Sequence, residues 1–229
     1  MPRPLPDSVL AVTDGSPEQV RAHILSAAVE VMTRKGVSAA STRAIAEEAA
    51  LSGGTLYNYF STREELVARA IVHRSLEVTA SIAAFPARAG THTVARNLQF
   101  FVTEAGKALD RILPLLAAAF ADPGLLDAVR RAMLDSFPLN DPATAVERYL
   151  LAERRLGRVA TGADCRAVAS ILVGLCHDDA FQRHLHASDE RPTRHKENWK
   201  LPAHIMVEER RLPARLHSSG PSSGGARNA

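Results

Sequence analysis

The sequence predicts an all-α protein with a three-helix N-terminal domain followed by a larger helical domain. Apolar residues recur at helical spacing along most of the chain, and no segment alternates between apolar and polar residues over the length of a strand. Ser and Asp residues, several followed directly by Pro, stand where these helical patterns begin, as N-caps do. With 229 residues, of which 46% are hydrophobic, the chain can bury a sizeable core.

The first helical pattern follows a segment that contains little periodicity. Residues 1–16 hold three prolines and an Asp-Gly pair, so we expect a flexible leader. Ser16-Pro17 then predicts a helix start, and Lys35-Gly36 predicts the end of that helix.

The stretch from Ser41 to Phe60, STRAIAEEAALSGGTLYNYF, predicts two short helices joined by a tight turn. Ser41 and Ser52 are candidate N-caps for the two helices, and the turn falls at Ala50. Leu56 and Phe60 are four residues apart and therefore share one helical face, which leaves polar and aromatic residues on the other. Such a pair of helices is typical of a helix-turn-helix. The next helix is expected to begin with a capping box at Ser61-x-x-Glu64.

These residues resemble the DNA-binding signature of the tetracycline-repressor (TetR) family, from about Glu18 to Val78. The matching positions are Ile45-Ala46, Ala49, Gly54-Thr55-Leu56-Tyr57, Tyr59-Phe60, Ser61, Arg63, Glu64 and Leu66. The chain departs from the family at Ala50, where Gly is usual, at Thr42, where an apolar residue is usual, and at Gly53, where Lys is usual. The resemblance implies a transcriptional regulator, most often a repressor, that binds a palindromic operator as a homodimer and is released by a small, partly hydrophobic effector.

Eleven residues in and around residues 17–78, the expected DNA-binding domain, are candidates for DNA contact. Tyr57 and Tyr59 can donate hydrogen bonds to phosphates, Asn58 suits adenine, and Arg43 suits a phosphate or a guanine. The full set is Ser41, Thr42, Arg43, Ser52, Gly53, Gly54, Thr55, Tyr57, Asn58, Tyr59 and Arg63.

The charge of this domain argues against DNA binding. Residues 1–80 contain 8 Lys and Arg against 9 Asp and Glu, a net charge of −1. Glu47, Glu48, Glu64 and Glu65 would therefore have to face away from DNA. The alternative hypothesis is a helical ligand-binding or interaction protein with a degenerate DNA-binding head.

By resemblance to the family, residues 79–212 are expected to form a helical ligand-binding and dimerisation domain. The Ser- and Gly-rich residues 213–229 predict a disordered tail. Helix starts are expected near Thr91 and at Asp122-Pro123, Asp141-Pro142 and Asp164, and Pro114 is expected to interrupt an apolar run. By resemblance, part of the apolar residues should line an effector pocket, although ordinary core is the simpler interpretation of each. The pocket candidates are Phe85, Phe100, Phe101, Ile112, Leu116, Phe120, Met133, Phe137 and Tyr149.

The helix expected over Asp164–Leu185 is the candidate dimer interface, by resemblance to the family. Its candidate interface residues are Val168, Ile171, Leu172 and Leu175. The family's second interface helix would have to lie between Trp199 and Leu212, where Pro202 shortens it, so we expect a weaker dimer than the family norm.

Other classes of function find little support in the sequence. Cys165 and Cys176 do not make a disulfide framework. The cluster His177, Asp178, Asp179, His184 and His186 lacks zinc spacing, and a solvated helix end is the better interpretation, so we expect no metal and no cofactor. A nucleophile elbow, a phosphate loop and paired carboxylates are all absent, so an enzyme is not expected. Neither a signal sequence nor a membrane-spanning stretch is present, which predicts a cytoplasmic protein without membrane contact.

Overall fold

The computed structural model describes residues 6–11, 13–136 and 141–186. These residues form α-helices and short 3₁₀ turns and contain no strand, so the all-α prediction is confirmed. The helices are α1 (Asp7–Leu10), α2 (Pro17–Lys35), α3 (Thr42–Glu48), α4 (Gly53–Tyr57), α5 (Arg63–Ala83), α6 (Val94–Phe120), α7 (Pro123–Ser136), α8 (Pro142–Arg155) and α9 (Cys165–Leu185). The 3₁₀ turns lie at Val37–Ala39 and Phe85–Arg88.

Most helices begin at the polar residue that the sequence indicates. Ser16, Ser41 and Ser52 each accept a hydrogen bond from the backbone N–H three residues later, and Asp141 and Asp164 cap α8 and α9 in the same way. These side chains satisfy N–H groups that have no partner within the helix.

The start of α5 lies one residue later than predicted. Thr62 is the N-cap, and its hydroxyl accepts from the backbone N–H of Glu65 at 3.0 Å. The Glu65 carboxylate in turn accepts from the N–H of Ser61 at 2.9 Å. The capping box expected at Ser61 and Glu64 is therefore wrong by one position, because the sequence Ser-Thr-Arg-Glu-Glu allows both registers.

The N-terminal segment is not a free leader in its described part. Val9, in α1, is 1% exposed and belongs to the core of the N-terminal domain. Thr13 is buried as well and donates its hydroxyl hydrogen to the carbonyl of Val9 at 2.8 Å. The prediction of a flexible leader over residues 1–16 is thus wrong for Asp7–Leu10, whereas residues 1–5 and 12 lie outside the described residues.

One apolar core joins the N-terminal domain to part of the larger domain. It contains buried residues of α2, α3, α4 and the first half of α5, such as Ile24, Ile45 and Leu66. It also contains Leu115 and Ala119 from the end of α6, together with buried residues of α7. The N-terminal helices, hereafter called the head (residues 6–72), are therefore packed against the distal end of α6 and against α7.

Pro114 does not end a helix, because α6 continues through it from Val94 to Phe120. Pro114 and Asp110, whose carbonyl loses its helical partner to the proline, are both exposed. Water can reach that face, so the missing hydrogen bond is less costly than it would be inside the core.

A second core lies between the last half of α5, the first half of α6, and α8 and α9. Cys165, Ala169, Leu172 and Cys176 are the buried residues that α9 contributes to it. None of the helices in the described part of the chain is long and apolar enough to cross a bilayer.

Candidate nucleic-acid interface and effector cavity

The turn between α3 and α4 requires a left-handed backbone at Ala50. Ala50 has φ +54°, one of two non-glycine residues with positive φ in the described segments. The N–H of Leu51 donates to the carbonyl of Ala46 at 2.9 Å, and that of Ala50 donates to Glu47 at 3.2 Å. This is the Schellman pattern that normally places Gly at the position of Ala50. The departure from the family's Gly therefore falls at a strained position.

A histidine holds this turn against α2. The His23 Nε2 atom lies 3.0 Å from the carbonyl oxygen of Ala49, which can only accept, so Nε2 donates the proton. Arg34, near the end of α2, forms an ion pair with Glu48 of α3. These two contacts fix α3 and the turn relative to α2.

The surface of α4 is polar and exposed, and its underside is apolar. Tyr57 is 58% exposed, and Asn58, which is the C-cap, is exposed as well. Leu56 and Phe60 are buried beneath them, and the N–H of Phe60 donates to the carbonyl of Leu56 at 3.0 Å. The α-helix ends at Tyr57, earlier than the predicted end at Phe60, although a hydrogen-bonded turn continues to that residue.

Two of the predicted DNA contacts have internal partners. Tyr59 is half-buried against the head core, and the guanidinium of Arg21 lies 5.9 Å from its ring centre. Arg63 donates from Nε to the carbonyl of Ala40 and from an Nη atom to the carbonyl of Val37, both at 2.9 Å. The guanidinium of Arg63 thus ties the start of α5 to the turn before α3. Sequence reasoning missed this role because the two carbonyls lie 23 and 26 residues away.

The eleven predicted DNA contacts divide by exposure. Exposed are Ser41, Arg43, Ser52, Gly53, Gly54, Tyr57 and Asn58. Half-buried are Thr42, Thr55, Tyr59 and Arg63. All of them lie at the start of α3, on α4 or its flanks, or at the start of α5, so the exposed members belong to consecutive elements of the head.

Acidic residues of the head are engaged by neighbouring arginines. Arg43 donates to Glu47 at 2.9 Å and Arg69 to Glu65 at 3.2 Å, each within one helix. Together with the ion pair between Arg34 and Glu48, these contacts reduce the negative potential on the head. They also occupy cations that could otherwise meet phosphates.

A cavity of about 270 Å³ lies between α5, α6, α7, the start of α8, and α9. Four of the nine predicted pocket residues line it: Phe101, Ile112, Leu116 and Met133. Sequence reasoning missed its polar lining, which is Ser75, Thr79, Asp141, Cys176 and His177. These residues come from three separate elements, α5, the start of α8, and α9, and only the packing of the helices brings them together.

The other pocket candidates do not line the cavity. Phe85 and Tyr149 are buried in an aromatic cluster, with ring centres 4.5 Å apart, and Phe85 also lies 5.2 Å from Phe101. Phe100 packs beneath the guanidinium of Arg88 at 4.0 Å. Phe120 is 68% exposed at the end of α6, and Phe137 lies outside the described residues.

The outer face of α9 contains exposed apolar residues, here called the α9 stripe: Ile171, Leu175, Phe181 and Leu185. Leu172 belongs to the interior of its own subunit at 4% exposure, so its prediction as an interface residue is wrong, and Val168 is half-buried against the same core. Phe181 and Leu185, which the interface prediction does not include, are exposed on the same helix. Residues 187–229, with the predicted second interface helix and tail, lie outside the described residues.

The histidines of α9 bond to their own helix. The Nδ1 atoms of His177 and His184 lie 2.8 Å and 2.9 Å from the carbonyls of Val173 and Ala180. Among the residues that the structure describes, no three His, Cys, Asp or Glu side chains are grouped as a metal would require.

Comparisons with known proteins agree with the helix-turn-helix. Residues 24–70 match the family model for bacterial regulatory proteins of the tetR family. A sequence search among curated proteins finds no match. The fold is shared with a crystal structure described as a TetR-family transcriptional regulator from Mesorhizobium loti, with 18% identity and a TM-score of 0.67 over 83% of this chain and 98% of the other.

Two further structures of this fold contain small molecules. One is a transcriptional regulator from Saccharomonospora viridis in complex with choline, with 16% identity and a TM-score of 0.59 over 84% of this chain and 100% of the other. The other is the multidrug binding protein EbrR complexed with imidazole, with 21% identity and a TM-score of 0.51 over 85% and 97%. The fold and the head define a helix-turn-helix protein with a helical second domain. The match to the tetR family of bacterial regulatory proteins covers α3, α4 and parts of α2 and α5, the helices that form most of the head.

Proposed function

We propose that this protein is a transcriptional regulator that binds an operator through α4 and is released from it by a small molecule in the cavity. The observation that carries the proposal is the head itself, in which the exposed polar surface of α4 rests on an apolar core that α6 and α7 also enter. The same α6 lines the cavity, so the two sites share an element.

The exposed residues of the helix-turn-helix have the chemistry that DNA requires. The Tyr57 hydroxyl can donate to a phosphate, and the Asn58 amide can pair with an adenine edge. Gly53 and Gly54 carry no side chain that would hold the backbone away from the DNA, and space around Gly53 is open. Arg43 lies beside this surface on α3.

Two helices connect the cavity to the head. Ile112 and Leu116 of α6 line the cavity, whereas Leu115 and Ala119 of the same helix are buried in the head core. Likewise, α5 contributes Thr79 to the cavity and its first half to the head core. A ligand that binds more tightly to one arrangement of these helices shifts the population of head positions, and thereby the affinity for the operator.

A dimer supplies the second recognition helix. The α9 stripe is the surface on which we place the partner, and the two α4 helices would then lie about 34–36 Å apart, one turn of B-DNA. The choline and imidazole complexes of the two similar structures support a small-molecule effector, since the fold accommodates such ligands there.

A second candidate function follows from the charge of the head. Arg34, Arg43 and Arg69 all pair with glutamates of the head, and Arg21 lies over Phe60 at 4.8 Å. A head that cannot offer cations to phosphates would leave a ligand-binding or interaction protein without DNA recognition.

A gel-shift series with the DNA upstream of the protein's own gene separates the two functions. For the regulator, we expect a specific complex that survives competition by random DNA across salt concentrations.

Asn58→Ala should cost roughly 1–3 kcal/mol of binding free energy on the preferred site and relax preference at one or two base pairs. Tyr57→Phe, which removes only a hydroxyl, should weaken specific and random DNA alike. Binding that stays independent of sequence at every salt concentration would support the second candidate.

A further inference from the structure

The cavity combines an apolar interior with polar groups that mainly offer hydrogen-bond acceptors. Its walls are mainly aliphatic and aromatic, and its polar lining is Ser75, Thr79, Asp141, Cys176 and His177. Whether each polar group has already donated its hydrogen within the protein determines whether a ligand must supply a donor or an acceptor there.

The two hydroxyl groups of α5 can only accept from a ligand. Ser75 donates its hydroxyl hydrogen to the carbonyl of Ile71 at 2.9 Å, and Thr79 donates to that of Ser75 at 2.6 Å. Each hydroxyl hydrogen is therefore already used, and the oxygen lone pairs remain.

The imidazole of His177 also presents an acceptor in its neutral form. Its Nδ1 atom lies 2.8 Å from the carbonyl of Val173, which only accepts, so Nδ1 carries the hydrogen. The Nε2 atom of the neutral ring is then a free acceptor. Cys176 stays a neutral thiol, because burial raises its pKa to about 11.

Asp141 adds a negative charge at the mouth of the cavity. Burial alone would raise the pKa of its carboxyl group. The hydrogen bonds from the Thr144 hydroxyl and from the backbone N–H groups of Thr144 and Ala143 outweigh this effect and hold the pKa below its usual value. The side chain is therefore ionised at neutral pH.

No lysine or arginine is found among the described residues that line the cavity. We infer that its ligand is a small apolar molecule carrying one ammonium group or a comparable hydrogen-bond donor, and that carboxylates and phosphates are rejected. A donor satisfies the hydroxyl oxygens, the imidazole and the carboxylate, whereas an anion would meet acceptors and a like charge. This inference rests on the proposed role of the cavity as the effector site.

The size of the cavity limits the ligand. At the packing density of protein interiors, about 270 Å³ holds roughly 10–15 non-hydrogen atoms. A matched probe series of this size is 4-phenylbutylamine, 4-phenylbutanol and 4-phenylbutyrate, which share an apolar body and differ in the polar group.

Calorimetric titration of the full chain at neutral pH with each probe tests the inference directly. We expect the ammonium probe to bind about tenfold more tightly than the alcohol, and the carboxylate probe to show no binding. Asp141→Asn keeps a capping side chain on α8 but removes the charge, and should bring the ammonium probe to the affinity of the alcohol. Asp164→Asn, the same change at the N-cap of α9 away from the cavity, should leave the tenfold difference intact.

The inference is overturned if the carboxylate binds as well as the ammonium, if Asp141→Asn leaves the difference unchanged, or if none of the probes binds. The proposed function is tested separately by the gel shift without ligand. Specific DNA binding with release by 4-phenylbutyrate would keep the regulator and refute the ligand class. Binding of the ammonium probe by a protein that shows no specific DNA binding would keep the ligand class and refute the regulator.

Discussion

At the scale of single residues, Ala50 has a strained backbone conformation that the turn between α3 and α4 requires. Its φ of +54° lies in the left-handed region, where a Cβ atom crowds the backbone. The Schellman hydrogen bonds around it need that conformation, so the strain cannot relax without loss of the turn.

Ala50→Gly is therefore expected to stabilise the protein by about 1 kcal/mol, because relief of the strain exceeds the added flexibility of the unfolded chain. Thermal unfolding should show a rise of roughly 2–4 °C in Tm. Ala117→Gly, on the exposed side of α6, is the matched control and should destabilise by about as much. A fall in Tm for Ala50→Gly would contradict the assignment of strain.

Arg63 and Arg43 should respond differently to the same substitution. Arg63 donates to two backbone carbonyls of the turn before α3, whereas Arg43 is exposed and pairs only with Glu47. Arg63→Ala should lower the free energy of unfolding by roughly 2 kcal/mol, because it leaves two carbonyls unpaired. It should weaken DNA binding with little change in salt dependence.

Arg43→Ala should leave stability unchanged and lower the slope of log K against log salt by about 1, as loss of one phosphate contact does. Chemical denaturation and salt-dependent binding measure both quantities on both variants. If Arg63→Ala lowered the salt slope with unchanged stability, Arg63 would be a phosphate contact after all.

Local hydrogen bonds explain which residues could be predicted from sequence. Ser41 and Ser52 accept from N–H groups three residues away, so the pattern of the adjacent residues was sufficient to identify them. Arg63 depends on carbonyls that only tertiary folding brings near, and no local pattern marks them. Phe85 and Phe101 are both buried and lie against each other, yet Phe101 also lines the cavity whereas Phe85 does not, and only tertiary packing makes that difference.

At the scale of elements, capping patterns in the sequence predict that a helix starts, but they do not always fix the residue at which it starts. The register of α5 shifts by one residue because two hydroxyl residues and two glutamates stand in a row. Pro114 interrupts an apolar run of the sequence but not the helix, because Ile112 and Leu115 on either side of it are buried and their burial favours an unbroken α6.

The register of α5 makes a direct prediction about its N-cap. Thr62→Ala should destabilise the protein by about 1 kcal/mol, since it removes the acceptor for the N–H of Glu65. Ser61→Ala should change the unfolding free energy by less than about 0.5 kcal/mol, because Glu65 is bonded to the backbone of Ser61 rather than to its hydroxyl. Urea titrations of the two variants measure both unfolding free energies. If Ser61→Ala lowered the unfolding free energy more than Thr62→Ala, Ser61 would be the N-cap, as the sequence predicts.

At the scale of the whole molecule, the head is not an independent unit. Its core includes Leu115 and Ala119 of α6, which the division at residue 78 assigned to the second domain. Sequence periodicity identifies a buried face but not its partner, so this shared core could not be predicted. As a consequence, α5 and α6, which line the cavity, cannot move without disturbing the core that they share with the head.

The last prediction concerns the partner of the α9 stripe. Ile171 is 54% exposed, and Phe181 and Leu185 are also exposed on this helix, although burying them would favour association by roughly 25 cal/mol per Å². Gly174 has open space around its α-carbon, which permits a second helix to approach closely. We expect two subunits to pair through this face, with a dissociation constant weaker than the family norm, since a stable interface buries about 1,200–2,000 Å² in total.

Ile171→Glu should give a monomer in sedimentation velocity at tens of micromolar and abolish operator binding, because a single head contacts only a half-site. Leu134→Glu is the matched control, since Leu134 is 79% exposed on α7, beside the start of α5 and outside the α9 stripe, and should leave the dimer intact. A chain ending at Leu216 should remain dimeric, as residues after about Ser218 are expected to be dispensable. A wild-type monomer at that concentration, or a dimer lost on removing the tail, would place the interface elsewhere, because the stripe alone would then not hold two subunits together.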